Sequence, residues 1–211
     1  MNIYKKIFIL LDNRWGDQKW WPAESKLEII IGAILTQNTS WKNVEQALNN
    51  LKKHNKISIS KISNTSHKEL ASLIKPAGYY NQKSKYIIGV VNYIKKKYNG
   101  SLDDLLSLDL ILLRKELLSL KGIGPETADT IILYASQKPI FVIDAYTRRF
   151  MERHHLASKN QSYNSLAKKF TDSLPRDYKL YNQFHALIVQ LGKNYCKTKA
   201  KCSGCPLEKL Y

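Results

Sequence analysis

A tight turn with two glycines joins two helical patterns in the middle of this 211-residue chain. Apolar residues recur at helical spacing over residues 108–120, and Gly122 and Gly124 then permit backbone angles that other residues resist. Pro125 suits the first position of a new helix, because its missing N–H would have no partner there. We therefore predict a helix, a hairpin and a second helix over about residues 109–136. Backbone amides at the start of that second helix favour a phosphate.

An apolar run, Phe141 to Ile143, leads from this second helix to Asp144, which precedes another helical pattern. An aspartate in that position is a good helix N-cap. A lone carboxylate after such a hairpin can also serve chemistry, and the two roles are compatible. The residues alone equally allow an ordinary helical corner in which the glycines only make the turn.

The segments LKGIGPETAD and FVID together resemble the hairpin and aspartate motif of the endonuclease III superfamily of DNA glycosylases. The family pattern is approximately L-P-G-V-G-x-K-T-A-x, followed by an apolar run that ends V-D. The resemblance covers nearly the whole chain and implies binding of double-stranded DNA that contains a damaged base. It assigns the DNA-binding hairpin positions to Lys121, Gly122, Ile123, Gly124 and Thr127.

Glu126 stands where the bifunctional members of that superfamily carry a Schiff-base lysine. A carboxylate cannot form an imine with the sugar aldehyde, so strand cleavage by that route is expected to be absent. The resemblance implies that Asp144 stabilises the oxocarbenium-like charge at C1′ and orients or deprotonates a water. We predict a monofunctional, base-excision-repair glycosylase that leaves an abasic site. Glu126 is predicted to add negative charge near a cationic base.

Aromatic residues stand just before the first long apolar helix, in the tandem Trp20-Trp21-Pro22. Such residues either cover a core or offer a stacking surface for an extruded base. The tandem resembles the branch of the superfamily that removes alkylated adenine, and Trp41 matches a further aromatic of that branch. The resemblance therefore implies a base pocket at these four residues. It would take an alkylated purine such as 3-methyladenine, held by cation–π contact.

Gln37 follows the almost wholly apolar helical pattern of residues 26–35. The superfamily pattern at this place is L-x-x-Q-x-x, and it implies that Gln37 enters the duplex and fills the gap left by the flipped nucleotide. The alternative is a polar side chain in solvent at a helix end. The segment GYYNQKS at residues 78–84 also resembles the superfamily.

Three cysteines close the chain in the pattern C-x5-C-x2-C, at Cys196, Cys202 and Cys205. The [4Fe–4S] loop of the superfamily typically reads C-x6-C-x2-C-x5-C, with four thiolates on the cluster. Here the first spacing is one residue short, and Tyr211 stands where the fourth cysteine would fall. Three alternatives stay open: a cluster held by three cysteines and another ligand, a zinc site completed elsewhere, or no metal.

Every segment with a clear periodic pattern is helical, so the predicted fold class is all-α. The resemblance implies two lobes: a six-helix barrel over residues 24–138, and a second helical lobe of residues 1–23 plus 139–211. Further helices are predicted at residues 2–12, 163–174 and 178–195, and Ser40 and Ser66 are predicted to cap the helices that follow them.

Lys and Arg number 34 against 17 Asp and Glu, which gives a formal charge of +17 and suits a polyanionic partner. Lysine supplies most of this excess, so part of the positive charge reflects a general richness of the chain in lysine and does not by itself indicate a DNA-binding surface. No signal peptide or membrane-spanning run is apparent, and we expect a cytoplasmic, nucleoid-associated monomer. Two alternatives remain: a glycosylase for mispaired thymine or uracil or for oxidised pyrimidines, and a non-catalytic module that binds damaged DNA.

Overall fold

The computed structural model describes residues 2–210, and every regular element in that range is a helix. The predicted all-α fold class is confirmed for this range. Contacts divide the chain into two compact units: Ala23–Ser136, and the residues up to Pro22 together with those from Gln137 onward. No helix in the described range is long and apolar enough to cross a membrane.

The unit Ala23–Ser136 is built around one apolar helix. Its helices are α2 (Lys26–Leu35), α3 (Trp41–Lys53), α4 (Ile59–Ser63), α5 (His67–Leu73), a 3-10 turn (Lys75–Ala77), α6 (Tyr80–Lys97), α7 (Leu102–Ser107), α8 (Leu110–Leu118) and α9 (Pro125–Ala135). Because α2 is apolar on nearly all sides, it is almost entirely buried, and it packs most extensively against α9. The second helix of the hairpin is thereby fixed to the centre of its unit.

Lys83 on α6 is a fully buried lysine that ties two backbone ends together. Its Nζ donates to the carbonyl oxygens of Leu35 and Ala77, each at 2.8 Å. Burial lowers the pKa of Lys83 to about 8. The two carbonyls offset part of the cost of burying the ammonium, because hydrogen bonds to a charged donor are strong. The contact fixes the end of α2, from which the Gln37 loop departs.

The other unit contains α1 (Ile3–Trp15), α10 (Ala145–Arg153), α11 (Tyr163–Ser173) and α12 (Tyr178–Asn194). An aromatic cluster forms its core, with Phe141 stacked on Phe170 at 3.8 Å between ring centroids and Phe184 at 5.7 Å from Phe141. The apolar run before Asp144 is therefore buried in a rigid core. This packing fixes the point at which Asp144 begins α10.

Several local predictions were wrong. The first helix ends at Trp15, not at residue 12. The short helices α4 and α7 were not predicted, because five or six residues give too little periodicity. Ser40 precedes α3 but makes no side-chain capping bond, whereas Ser66 accepts a hydrogen bond from the amide of Glu69. On α8 only Leu113 and Leu117 are buried, so its apolar face is narrower than its composition suggests.

Candidate active site and DNA-binding hairpin

The hairpin between α8 and α9 is held by a buried ion pair as well as by its turn. Arg114 Nε donates to Asp129 Oδ1 at 2.7 Å, and a second guanidinium nitrogen lies 3.3 Å from Oδ2. Asp129 is 1 % exposed, so this two-pronged bond links the two helices inside the unit. The relative orientation of α8 and α9, and hence the path of the hairpin, is set by it.

Gly122 is required at its position for two independent reasons. Its φ of +87° lies in the left-handed region, which L side chains rarely adopt. A Cβ on Gly122 would also lie 2.3 Å from the ring of Tyr86. Gly124, by contrast, has a φ of −90°, and a Cβ there would meet nothing within 4 Å. The tight turn depends on Gly122. Gly124 leaves the surface of the hairpin without a side chain at the start of α9.

Gln37 reaches the hairpin directly. Its Nε2 donates to the carbonyl oxygen of Gly122 at 2.9 Å and to Thr127 Oγ1 at 3.0 Å. The alternative of a helix-end side chain directed into solvent is therefore wrong. Through these two bonds, three of the predicted DNA-binding residues are linked: Gln37, Gly122 and Thr127. Entry of Gln37 into a duplex stays a prediction.

Lys121 and Glu126 lie on the exposed side of the same hairpin, while Ile123 is buried and anchors it. Glu126 is in the first turn of α9, where a carboxylate interacts favourably with the helix dipole. The first-turn amides of any helix lack partners within the helix, so this end of α9 can bind an anion.

Asp144 is a buried carboxylate with two partners. Its Oδ1 accepts the Thr147 amide at 2.7 Å, which confirms the predicted N-cap. Its Oδ2 lies 3.5 Å from His185 Nε2. Burial alone would raise the pKa of Asp144, but the neighbouring His185 and the hydrogen bonds from Thr147 hold it below its ordinary value. The carboxylate is therefore kept ionised although its side chain is only 15 % exposed.

The Trp20-Trp21-Pro22 segment is anchored to α12. Gln183 Oε1 accepts the Gln18 amide at 3.0 Å, and its Nε2 donates to the carbonyl oxygen of Gly16 at 2.7 Å. The rings of Trp20 and Trp21 contact edge to face, with centroids 6.2 Å apart. Both indoles are partly exposed, so they are not simply core residues.

Lys193 on α12 places its Nζ 5.3 Å from the ring centroid of Trp20. The face of this indole thus already attracts a cation. Trp41 is the first residue of α3 and belongs to the other unit. Its predicted place in a base pocket with Trp20 and Trp21 stays a prediction.

Three residues of α12 were missed at the sequence level: Gln183, His185 and Lys193. A lone histidine within an apolar helical pattern is more often an ordinary core residue, and Gln and Lys are common everywhere. The only available signal was the placement of His185 in the buried segment FHALIV. The tertiary fold brings these residues to Asp144 and to the tryptophan segment.

The cysteine tail does not form a metal centre in the described residues. No group of three His, Cys, Asp or Glu side chains within residues 2–210 is arranged to hold a metal ion. Arg153 Nη1 instead donates to Cys196 Sγ at 3.3 Å, and burial raises the pKa of the Cys205 thiol. Position 211 lies outside the described residues. The described residues therefore do not confirm the predicted metal.

A glycine hairpin between two helices of one unit, and an aspartate of the other unit that caps a helix and is held ionised, are features of a helix-hairpin-helix DNA glycosylase. The chain belongs to the HhH-GPD superfamily of base excision DNA repair proteins, whose family pattern matches residues 31–176. It is a DNA glycosylase, as its relationship to the endonuclease III superfamily predicted.

The chain is 45% identical over 208 residues to a protein of Methanocaldococcus jannaschii that is provisionally assigned as a DNA repair glycosylase, covering 98% of this chain and 94% of that protein. Among solved structures it is similar to Helicobacter pylori 3-methyladenine DNA glycosylase bound to 1,N6-ethenoadenine. The TM-score is 0.76 at 28% identity, over 92% of this chain and 98% of that one. A trapped endonuclease III–DNA covalent intermediate shares the fold, with a TM-score of 0.84 at 20% identity over 100% and 96% of the two chains.

Proposed function

We propose that this glycosylase is monofunctional and removes alkylated purines, with a methylated adenine as the representative substrate. The observation that carries the proposal is the partly exposed Trp20–Trp21 pair, fixed to α12 through Gln183. A 3-methylpurine nucleotide carries a positive charge, and indole faces attract cations. The likeness to the H. pylori 3-methyladenine glycosylase supports the same substrate class.

The chemistry needs little acid catalysis, because a cationic purine is already a good leaving group. A water oxygen attacks C1′ while the bond from C1′ to the ring nitrogen breaks, and the electron pair leaves with the base. The Asp144 carboxylate stabilises positive charge at C1′ and accepts the water proton. The base departs neutral, and the sugar keeps a hydroxyl at C1′. A buried carboxylate that is held ionised suits this role.

Glu126 argues against a combined lyase activity. The position lies exposed in the first turn of α9, and a carboxylate there cannot form the covalent imine that begins strand cleavage. The proposed product is therefore an intact strand with an abasic site. We also propose that Glu126 adds negative charge where a cationic base is bound.

Release of free base from methylated duplex DNA tests the proposal, with strand scission scored before and after hot alkali. We expect release of methyladenine and breaks only after alkali. The Asp144→Asn variant should lose at least about a hundredfold in rate, because the charge that stabilises the transition state is removed. It should still bind DNA that contains an abasic site.

Other outcomes would reject parts of the proposal. Breaks without alkali, together with a protein–DNA adduct trapped by borohydride, would show lyase chemistry. Activity only on mispaired thymine or uracil, or on oxidised pyrimidines, would show that the enzyme is a glycosylase of the endonuclease III type. No base release from any of these substrates, together with equal DNA binding by Asp144→Asn and the unaltered protein, would leave a non-catalytic DNA-binding module.

A further inference from the structure

We infer that His185 is a positioning residue for this reaction: it lies behind Asp144 and holds the carboxylate ionised and correctly oriented. The inference rests on the proposed role of Asp144. His185 Nε2 lies 3.5 Å from Asp144 Oδ2, whereas the Thr147 amide donates to the other oxygen, Oδ1. Each oxygen of the Asp144 carboxylate thus contacts a different residue.

Burial makes this contact consequential. His185 is 5 % exposed, and the side chain of Asp144 is 15 % exposed. An ionised carboxylate in such surroundings is costly unless a charge or hydrogen-bond donor compensates it. His185 lies on α12, which packs extensively against α10, so its distance from Asp144 is set by the helix packing.

The same helix carries the tryptophan segment. Gln183, two residues before His185, binds the Gly16–Gln18 backbone, and Lys193 lies over the Trp20 ring. Helix α12 thus positions both the catalytic carboxylate and the proposed base-stacking surface. A shift of α12 would move the two together.

Several charged groups on the helices packed against α12 have other partners, and Glu152 on α10 and Lys5 and Arg14 on α1 are the remaining charged side chains of these helices. Arg148 and Arg149 on α10 donate to the carbonyl oxygens of Gln161 and Cys196, Arg153 donates to those of Lys197 and Thr198, and Lys6 on α1 donates to that of Leu210. Asp12 on α1 accepts a hydrogen bond from Gln183. His185 is therefore the side chain that we expect to act on Asp144, by a hydrogen bond from its ring and, where the ring is protonated, by its charge.

The test replaces His185 by Leu and follows Asp144 in two ways. Base excision is measured under single-turnover conditions across a pH range, and the Asp144 carboxyl carbon is titrated by NMR in protein labelled at aspartate. We expect the Asp144 titration midpoint to move to higher pH. Excision should then slow by a larger factor at the acidic end of the range than near about pH 8, because the active form is the carboxylate.

Matched variants separate positioning from general destabilisation. Leu187→Ala on the same helix also removes a fully buried side chain, and it should lower stability without moving the titration midpoint. In the Asp144→Asn background, His185→Leu should cause no further loss of rate, since the residues act through one another. If His185→Leu does not fold, His185→Gln keeps a donor without the charge and should move the midpoint in the same direction by a smaller amount.

An unchanged Asp144 midpoint in both His185 variants would overturn the inference. So would an equal loss of rate at every pH. The NMR titration needs no substrate, so it reports on His185 even if the enzyme proves inactive on methylated DNA. Failure of the proposed substrate and failure of this inference are thereby distinguished.

Discussion

Gln37 shows how one side chain can have a structural partner in the free protein and a proposed partner in the complex. Its two bonds to Gly122 and Thr127 tie the loop after α2 to the DNA-binding hairpin. To enter a duplex, the side chain must exchange both bonds for contacts with bases. The free protein therefore holds Gln37 beside the place where the hairpin would meet the backbone phosphates.

We expect Gln37→Ala to weaken binding to damaged duplex DNA by tenfold or more, while unfolding free energy falls by only about 1–2 kcal/mol for the two lost hydrogen bonds. Urea unfolding and equilibrium binding to a duplex with an abasic site measure the two effects. The control is Gln46→Ala, which removes an exposed glutamine from α3 in the same unit. Identical binding by the two variants would reject the wedge role.

Asp144 has the capping role that its sequence position predicted, and its catalytic role stays a proposal. It caps α10, and it is a buried carboxylate that His185 and Thr147 keep ionised. The cap was predictable, because aspartate before a helix is a local signal. The ionisation was not, because it depends on a histidine 41 positions further along the chain.

At the level of elements, the hairpin joins α8 and α9 through three different restraints. These are the left-handed backbone of Gly122, the Tyr86 ring packed beneath it, and the Arg114–Asp129 pair. Each restrains the same turn of residues 119–124, so its amides are held in place before any DNA is bound. Such preorganisation lowers the entropy cost of binding a phosphate.

Gly122→Ala and Gly124→Ala form a matched pair within this turn. We expect Gly122→Ala to cost about 2–4 kcal/mol of stability, from left-handed strain and from the clash with Tyr86, and Gly124→Ala to be nearly neutral. Urea unfolding of each variant measures the difference. Adding Tyr86→Ala to Gly122→Ala should recover the part of the lost stability that comes from the clash. The part that comes from the left-handed backbone should remain. Equal costs for the two glycines would show that neither restraint matters.

The whole molecule carries a formal charge of +17, which suits a DNA partner but does not by itself locate the binding surface. Part of the basic excess is engaged in ion pairs, such as Lys52 with Glu24 and Glu28. Other lysines, including Lys121 on the hairpin, are exposed. Only those that contact phosphates contribute to the salt dependence of binding.

We expect affinity for duplex DNA to fall at least about tenfold between roughly 50 and 200 mM salt, since phosphate contacts release counterions. Lys121→Ala should reduce the slope of log K against log salt by about one, which corresponds to one lost phosphate contact. Lys68→Ala, an exposed lysine on α5, is the control. The same slope in both variants would remove Lys121 from the DNA interface.

Much of the fold could be predicted because its signals are local. Residues 26–35, 125–135 and 178–194 carry uninterrupted helical patterns, and the Gly-Ile-Gly turn before Pro125 defines the hairpin. The helical periodicity of α8 was also visible, but which leucines are buried was not, because Leu112 is 50% exposed although it is as apolar as Leu113. Burial depends on which helices pack against a face.

The sequence by itself determined the helical class, the hairpin, the N-cap at Asp144 and the absence of a Schiff-base lysine at position 126, because each depends on residues close together in the chain. The tertiary structure decided what surrounds them: Tyr86 beneath Gly122, Gln37 on the hairpin, and His185 behind Asp144. Such contacts join residues separated by 36 to 85 positions. They depend on how helices pack, which no local pattern specifies.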